Sequence, residues 1–359
     1  MIKFIPHKYF VKYLILIGLF MMINYNKSYA AQQLPKRGEL TIVAWWGIPR
    51  NELTLNRFIE LKAAGFNVTF NNMATLDDLK RALFLGRLSG VKIIATNRDI
   101  VNADLNSIRQ IRDSTSLLAY SLGDEPNASQ FNELKSKVVQ IKNADKNHPC
   151  YINLLPDASR EMLGTDFPNY LHRAIFELQL SFLSFDIYPI TTKGINGGWY
   201  DNLEKAAEAA RNSNIPMWTF VLSTPHSTPG TTYATPSINS LRLQVYSNLA
   251  YGSQAIQYFT YWLPESKEYN YHDAPITAGK KTKTYNLVKK MNQEIQAISG
   301  VFKDGYVEDV AHIGVQPKGT RMLMRQPDGM EITKRTSGSH LLISQIRHKD
   351  AKYVVLQNC

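Results

Sequence analysis

From about Glu39 to Ile298, short apolar runs alternate with stretches whose apolar residues recur every three or four positions. The first pattern reads as strand and the second as amphipathic helix. Strand-like runs fall at 40–46, 66–70, 91–96, 117–122, 151–155, 182–188, 217–222 and 255–262. Helical patterns follow them at 53–64, 76–88, 105–113, 129–143, 168–178, 203–212, 238–250 and 284–298, the second opening on a cap-like Thr75-Leu76-Asp77-Asp78. Eight strand–helix units in roughly 260 residues predict an α/β fold, a (β/α)8 TIM barrel spanning 38–300. A doubly wound open sheet is disfavoured, because Gly47-Ile48-Pro49-Arg50 after the first strand is not a dinucleotide-binding turn.

After Gly300 the period shortens to two. Residues 321–325 and 330–333 flank Pro327-Asp328-Gly329 as a hairpin would, and 341–346 and 353–356 read as two further strands. Residues 301–359 are therefore expected to form a partial, β-sandwich-like all-β module. Its last strand ends at Cys359, an exposed edge that a complete sheet would cover, so the module reads as small or cut short.

Residues 1–30 have the layout of a signal peptide: Lys3, Lys8 and Lys12, an apolar stretch from Tyr13 to Ile23, then Ser28-Tyr29-Ala30. Cleavage is expected after Ala30, giving a periplasmic or secreted protein with no stable membrane insertion once the leader is removed. An uncleaved anchor is the competing reading, although the apolar stretch is short for a bilayer.

The formal charge of +11 changes this picture little, because the excess is spread along the chain and no basic run is interleaved with aromatics. Nucleic acid is not an expected partner. The two cysteines are too few and too distant for a disulfide framework, and Cys150 is expected as a buried free thiol. No His/Cys cluster has metal-ligand spacing, so neither a metal nor a cofactor is expected.

The candidate chemistry sits at the strand ends. The fourth strand, Leu117-Leu118-Ala119-Tyr120-Ser121-Leu122, runs into Gly123-Asp124-Glu125-Pro126. The C-terminal end of a barrel strand opens on the mouth, where carboxyls do chemistry. Strict alternation puts Leu117, Ala119, Ser121, Gly123 and Glu125 on the inner face and turns Asp124 sideways. On the sixth strand the same logic aims Asp186 at the mouth, with Ser184 and Tyr188 on its face. A carboxyl in an apolar surround keeps its proton and suits a general acid. Trp46, Asn72, Asn153, Tyr188, Trp218, His226, Tyr261 and Trp262 lie near other strand ends. Aromatic faces stack on sugar rings and amides satisfy hydroxyls, so these are candidate binders of an oligosaccharide or polysaccharide.

The eight units, the Glu ending the fourth strand, the aromatic eighth strand Gln257-Tyr258-Phe259-Thr260-Tyr261-Trp262 and the helix after it resemble a clan A glycoside hydrolase. Family 42, the β-galactosidase-like barrels, is nearest. The resemblance implies hydrolysis of a glycosidic bond with Glu125 as acid/base. Two positions depart from it. Asp124 stands where clan A has Asn, and the seventh strand and its end, 216–226, hold no carboxylate to serve as nucleophile.

Three readings follow. Glu125 works with another carboxyl, Asp186 first and Glu265 next. Or Asp124-Glu125 is the pair of a substrate-assisted N-acetylhexosaminidase, which such adjacent carboxyls resemble and which needs no strand-seven Glu. Or the barrel binds carbohydrate without catalysis.

Overall fold

The computed structural model describes residues 14–15, 38–266, 268–327 and 340–359. Eight parallel strands close a barrel: β1 Thr41–Trp45, β2 Val68–Phe70, β3 Lys92–Ala95, β4 Leu117–Asp124, β5 Cys150–Leu154, β6 Leu183–Phe185, β7 Met217–Leu222 and β8 Ser253–Phe259. Around it lie α1 Leu55–Ala63, α2 Leu76–Ser89, α3 Leu105–Ile111, α4 Phe131–Ala144, α5 Phe167–Glu177, α6 Trp199–Asn212, α7 Ile238–Ala250 and α8 Lys283–Phe302. The (β/α)8 barrel expected from the pattern is thus the observed fold.

Local chemistry sets the helix ends. The Thr75 hydroxyl accepts from the Asp78 amide while the Asp78 carboxylate accepts from that of Thr75, a reciprocal cap that starts α2. Gly90, at φ 71°, ends it in a left-handed turn that a Cβ would strain. Two helices outrun the pattern. α6 begins a turn early because Trp199 and Tyr200 are buried, and α8 continues through Gly300 because Val301 and Phe302 are. The boundary expected at residue 300 therefore falls inside a helix.

Two apolar layers follow from strand alternation. The outer one packs strands against helices. The inner one fills the barrel with Val43, Trp45, Val68, Phe70, Ile94, Ala119, Tyr151, Phe182, Trp218 and Phe220 among others. No helix among the described residues is long and apolar enough to cross a membrane. Cys150 is buried and Cys359 half-buried, and both are free thiols.

The C-terminal module is one antiparallel sheet of β9 Tyr306–Gly314, β10 His340–His348 and β11 Ala351–Asn358, laid against α7 and α8. Among the described residues helices, not a second sheet, supply its opposing layer. Its first strand was not in the sequence pattern, whereas 321–325, read as a hairpin arm, is irregular and meets the sheet through the His312–Met322 bridge, an Arg321–Asp309 ion pair and the Leu323 side chain. Asp328 and Gly329 of the turn and the second arm of that hairpin lie outside the described residues. So does the expected leader, except Leu14–Ile15, which pair in parallel with Val355 and Leu356 of β11.

A histidine pair sits where this sheet meets the barrel helices. His312 Nδ1 lies 2.8 Å from His340 Nε2, and His312 Nε2 lies 3.0 Å from the Tyr251 hydroxyl. Burial, then the neighbouring His340, depresses His312 to about 4. Its folded pKa lies below the unfolded value, so the stability it carries is complete above about pH 6.5 and drains away toward pH 4. About 3 kcal/mol is expected to be lost across that window. Thermal unfolding from pH 7.5 to 4.5 should show this slope, and His312→Gln should flatten it.

Candidate active site

Two irregularities in β4 decide what reaches the barrel mouth. Its pairing with β3 skips a residue between Leu117 and Ala119, and its pairing with β5 skips one between Ser121 and Gly123. Each bulge reverses the inside–outside parity. Leu117 accordingly packs outward and Leu118 against the barrel interior, the reverse of strict alternation. After the second bulge Asp124 turns inward and pairs with Asn153 of β5, a correction to the sideways orientation expected for it. Glu125 follows with φ 51°, a left-handed conformation that costs about 1 kcal/mol in a non-glycine residue. Its amide donates to the Asn153 carbonyl at 2.8 Å, and the Tyr170 hydroxyl of α5 donates to the Pro126 carbonyl at 2.7 Å. These two bonds hold the turn, so Asp124 and Glu125 both face the mouth.

Asp186, one residue past β6, completes a cluster of three carboxyls. The Asn153 side-chain amide donates to Asp186 Oδ1 at 2.8 Å and to Asp124 Oδ1 at 3.1 Å. The Glu125 carboxyl lies within hydrogen-bonding reach of Asp186, and the Tyr188 hydroxyl lies close to it.

The electrostatics sort these groups. Burial raises Glu125 most, followed by the charges of Asp186 and Asp124 and then the bond to Asp186, so its carboxyl stays protonated well above the usual range. Burial also raises Asp186, but bonds from Asn153, Tyr188 and Glu125 favour its charged form. Asp124 is pushed up to about 7 by desolvation and by Asp186, against a bond from Asn153. It stays open to water at the rim, which screens it more than its half-buried neighbours. These directions favour Glu125 over Asp186 as the carrier of a proton that the two titrate as a pair.

The walls are aromatic. Tyr188 packs edge-on against Tyr233 at 5.8 Å, and His226 contacts Tyr233 and Tyr271 at 4.7 and 4.8 Å. The His226 imidazole is fixed by its Nδ1, 3.0 Å from the Thr224 carbonyl. Tyr233, Tyr269 and Tyr271 come from loops after β7 and β8 and carry no signal in the strand pattern. A separate cleft of about 520 Å³ opens at the ends of β1, β2 and β8, lined by Trp46, Arg50, Asn72, Trp262 and Glu265 among others. Arg57 lies over the Trp262 ring at 5.0 Å. Glu265 thus belongs to this cleft and not to the carboxyl cluster.

Two expected sugar binders are core residues instead. Trp218 lies near the start of β7, inside the barrel, stacked on Phe182 at 4.1 Å. Tyr261 is fully buried in the outer layer, with its ring 5.2 Å from Phe66. Both sit close to strand ends in the sequence, but their rings fill packing layers.

No protein-family model matches the sequence, and no curated protein is similar to it. Solved structures do share its architecture. A β-galactosidase from the psychrophilic Marinomonas ef1 superposes with a TM-score of 0.54 at 10% identity, over 71% of this chain and 59% of that one. What is shared is the barrel. Gas2p of Saccharomyces cerevisiae gives 0.52 at 12% identity, over 71% of this chain and 61% of that one. A structure assigned as an α-L-fucosidase, from Bacteroides thetaiotaomicron, gives 0.51 at 13% identity, over 74% of this chain and 99% of that one. The chain thus spans about three-fifths of the β-galactosidase and Gas2p chains. At these identities the likeness is one of fold, and function rests on the site.

Proposed function

We propose that this chain is an exported glycoside hydrolase in which Glu125 is the general acid/base, and that it acts on N-acetylhexosaminides with the substrate's own acetamide as nucleophile. The observation that carries this reading is the contact between Glu125 and Asp186. Paired carboxyls of a retaining enzyme stand about 5–5.5 Å apart, and those of an inverting one about 6.5–9.5 Å. Two carboxyls within hydrogen-bonding reach of each other are too close for either arrangement. The seventh strand and its end offer no carboxylate, and Ser223 and Thr224 there are buried and bonded to Thr260.

In the proposed reaction the acetamide oxygen attacks the anomeric carbon as the glycosidic C–O bond breaks. Glu125 gives its proton to the leaving oxygen. Asp124 and Asp186, held by Asn153, orient the acetamide and stabilise the positive charge that develops on it. The Glu125 carboxylate then takes a proton from the water that opens the cyclic intermediate. The cleft of Trp46, Asn72 and Trp262 supplies stacking and hydrogen bonds for further sugar units. Gas2p, whose barrel this chain resembles, has been solved with laminaritetraose and laminaripentaose, and an oligosaccharide is the ligand class proposed here too.

A panel of aryl glycosides tests this. N-acetylhexosaminides are expected to be cleaved and a thiazoline analogue to inhibit. Cleavage confined to glycosides without an acetamide would replace this mechanism by an ordinary two-carboxylate one, of the family 42 kind or another. Sugar affinity with no turnover on any glycan would make the barrel a binding protein.

A further inference from the structure

Below the carboxyl cluster a chain of buried polar side chains crosses the barrel interior. The Tyr151 hydroxyl donates to Gln257 Oε1 at 2.8 Å. Gln257 Nε2 donates to Ser184 Oγ at 2.9 Å, and Ser184 Oγ donates to Asn153 Oδ1 at 2.9 Å. Asn153 Nδ2 then reaches Asp186 and Asp124. Tyr151, Asn153, Ser184 and Gln257 are each at most 2% exposed, so none of these groups has water as an alternative partner.

The direction of the chain follows from donor counting. A serine hydroxyl has one proton. Ser184 accepts from Gln257, and its own proton goes to the Asn153 carbonyl oxygen at 2.9 Å, which is nearer than the Tyr151 hydroxyl at 3.3 Å. That turns the Asn153 amide so that both its N–H bonds face the carboxyls. An amide N–H only donates, so it favours the ionised form of whichever carboxyl it meets. It meets Asp186 and Asp124 and not Glu125.

We propose that Ser184 and Gln257 are positioning residues that hold Asn153 in this orientation and thereby assign the cluster's proton to Glu125. The inference rests on the proposed reaction only for its use; the proton assignment belongs to the free protein. The titratable groups facing Glu125 are Asp124 from β4, Asp186 and Tyr188 after β6, Tyr170 from α5, Tyr233 after β7 and Tyr269 after β8. All four tyrosines are raised and neutral, which leaves the two aspartates as the competitors for the proton.

The test is a ¹³C carboxyl NMR titration of the full chain labelled at Asp and Glu, which needs no substrate and is readable even if no glycoside is cleaved. In the wild type Glu125 should titrate last. In Ser184→Ala the Glu125 midpoint should fall and the Asp186 midpoint rise, each by about one pH unit. Ser184→Thr, which keeps the hydroxyl, should restore the wild-type order. If turnover is found, the alkaline limb of the rate profile should move down with Glu125 in Ser184→Ala. Gln257→Met takes away the amide that donates to Ser184 Oγ and the acceptor of the Tyr151 hydroxyl, so the Ser184 proton is no longer held toward Asn153. It serves if Ser184→Ala does not fold. Unchanged titration order in a folded Ser184→Ala or Gln257→Met variant would overturn the assignment.

Discussion

Replacing Glu125 by glutamine is expected to lower kcat about 10³-fold on substrates with poor leaving groups while the barrel stays folded. Glutamine has the size of glutamate and its amide can still bond to Asp186, but it has no proton to give. Its backbone would keep the same left-handed turn, held by the Asn153 carbonyl and by Tyr170 on Pro126. It also relieves the crowding of three carboxyls, so stability should hold or rise. Circular dichroism and thermal unfolding check the fold, and release of reducing sugar checks the rate. A Glu125→Gln protein with wild-type turnover would remove Glu125 from the acid role.

The second large effect is expected at Asp186. After burial, the charge of Asp186 is the strongest influence that keeps the proton on Glu125. Asp186→Asn removes that charge, so the Glu125 pKa falls. Activity that needs protonated Glu125 is present below this pKa and lost as pH rises through it, so the alkaline limb of the rate profile moves to lower pH. The acid limb passes to Asp124 alone and also moves to lower pH, because the Asp186 charge is one of the two causes that push Asp124 up to about 7. Loss of the group that orients the acetamide should also cost kcat at least about 10²-fold. The full pH profiles of the two proteins show both changes, and superimposable profiles would mean that Asp186 does not govern Glu125.

The barrel was legible because its signal is periodic: strand and helix patterns alternate eight times, and each strand has its inner and outer face. What alternation hid was its own interruption. Neither Leu118 nor Leu122 marks a bulge in the sequence, yet the two bulges put Leu118 inside and bring Asp124 to the mouth. Strand β9 was missed for a related reason. Glu308 and Asp309 break its apolar alternation at the point where its register shifts between Val307 and Asp309.

Among the groups that meet at the mouth, Asp186 was pointed there by parity and Asn153 by its closeness to a strand end, whereas Glu125, also expected there by parity, reaches it through the left-handed turn after the second bulge. Trp218 and Tyr261 were read as sugar binders because closeness to a strand end in the sequence does not say whether a ring meets solvent or a packing layer. Tyr233 and Tyr271 escaped notice because loops carry no period. The buried run from Gln257 through Ser184 to Asn153 joins three strands, and a single sequence does not show side-chain bonds across strands.

The central claim is that the protonated Glu125 carboxyl assists departure of the leaving group from a sugar. It is tested most directly by kcat/KM for aryl glycosides of one sugar, across leaving groups of graded acidity, in the wild type and in Glu125→Gln. Proton donation matters most for basic leaving groups. The account predicts a shallow dependence on leaving-group acidity in the wild type and a steep one in the variant, with the two converging at the most acidic phenols. Parallel dependences, or no cleavage of any glycoside by the wild type, would contradict it.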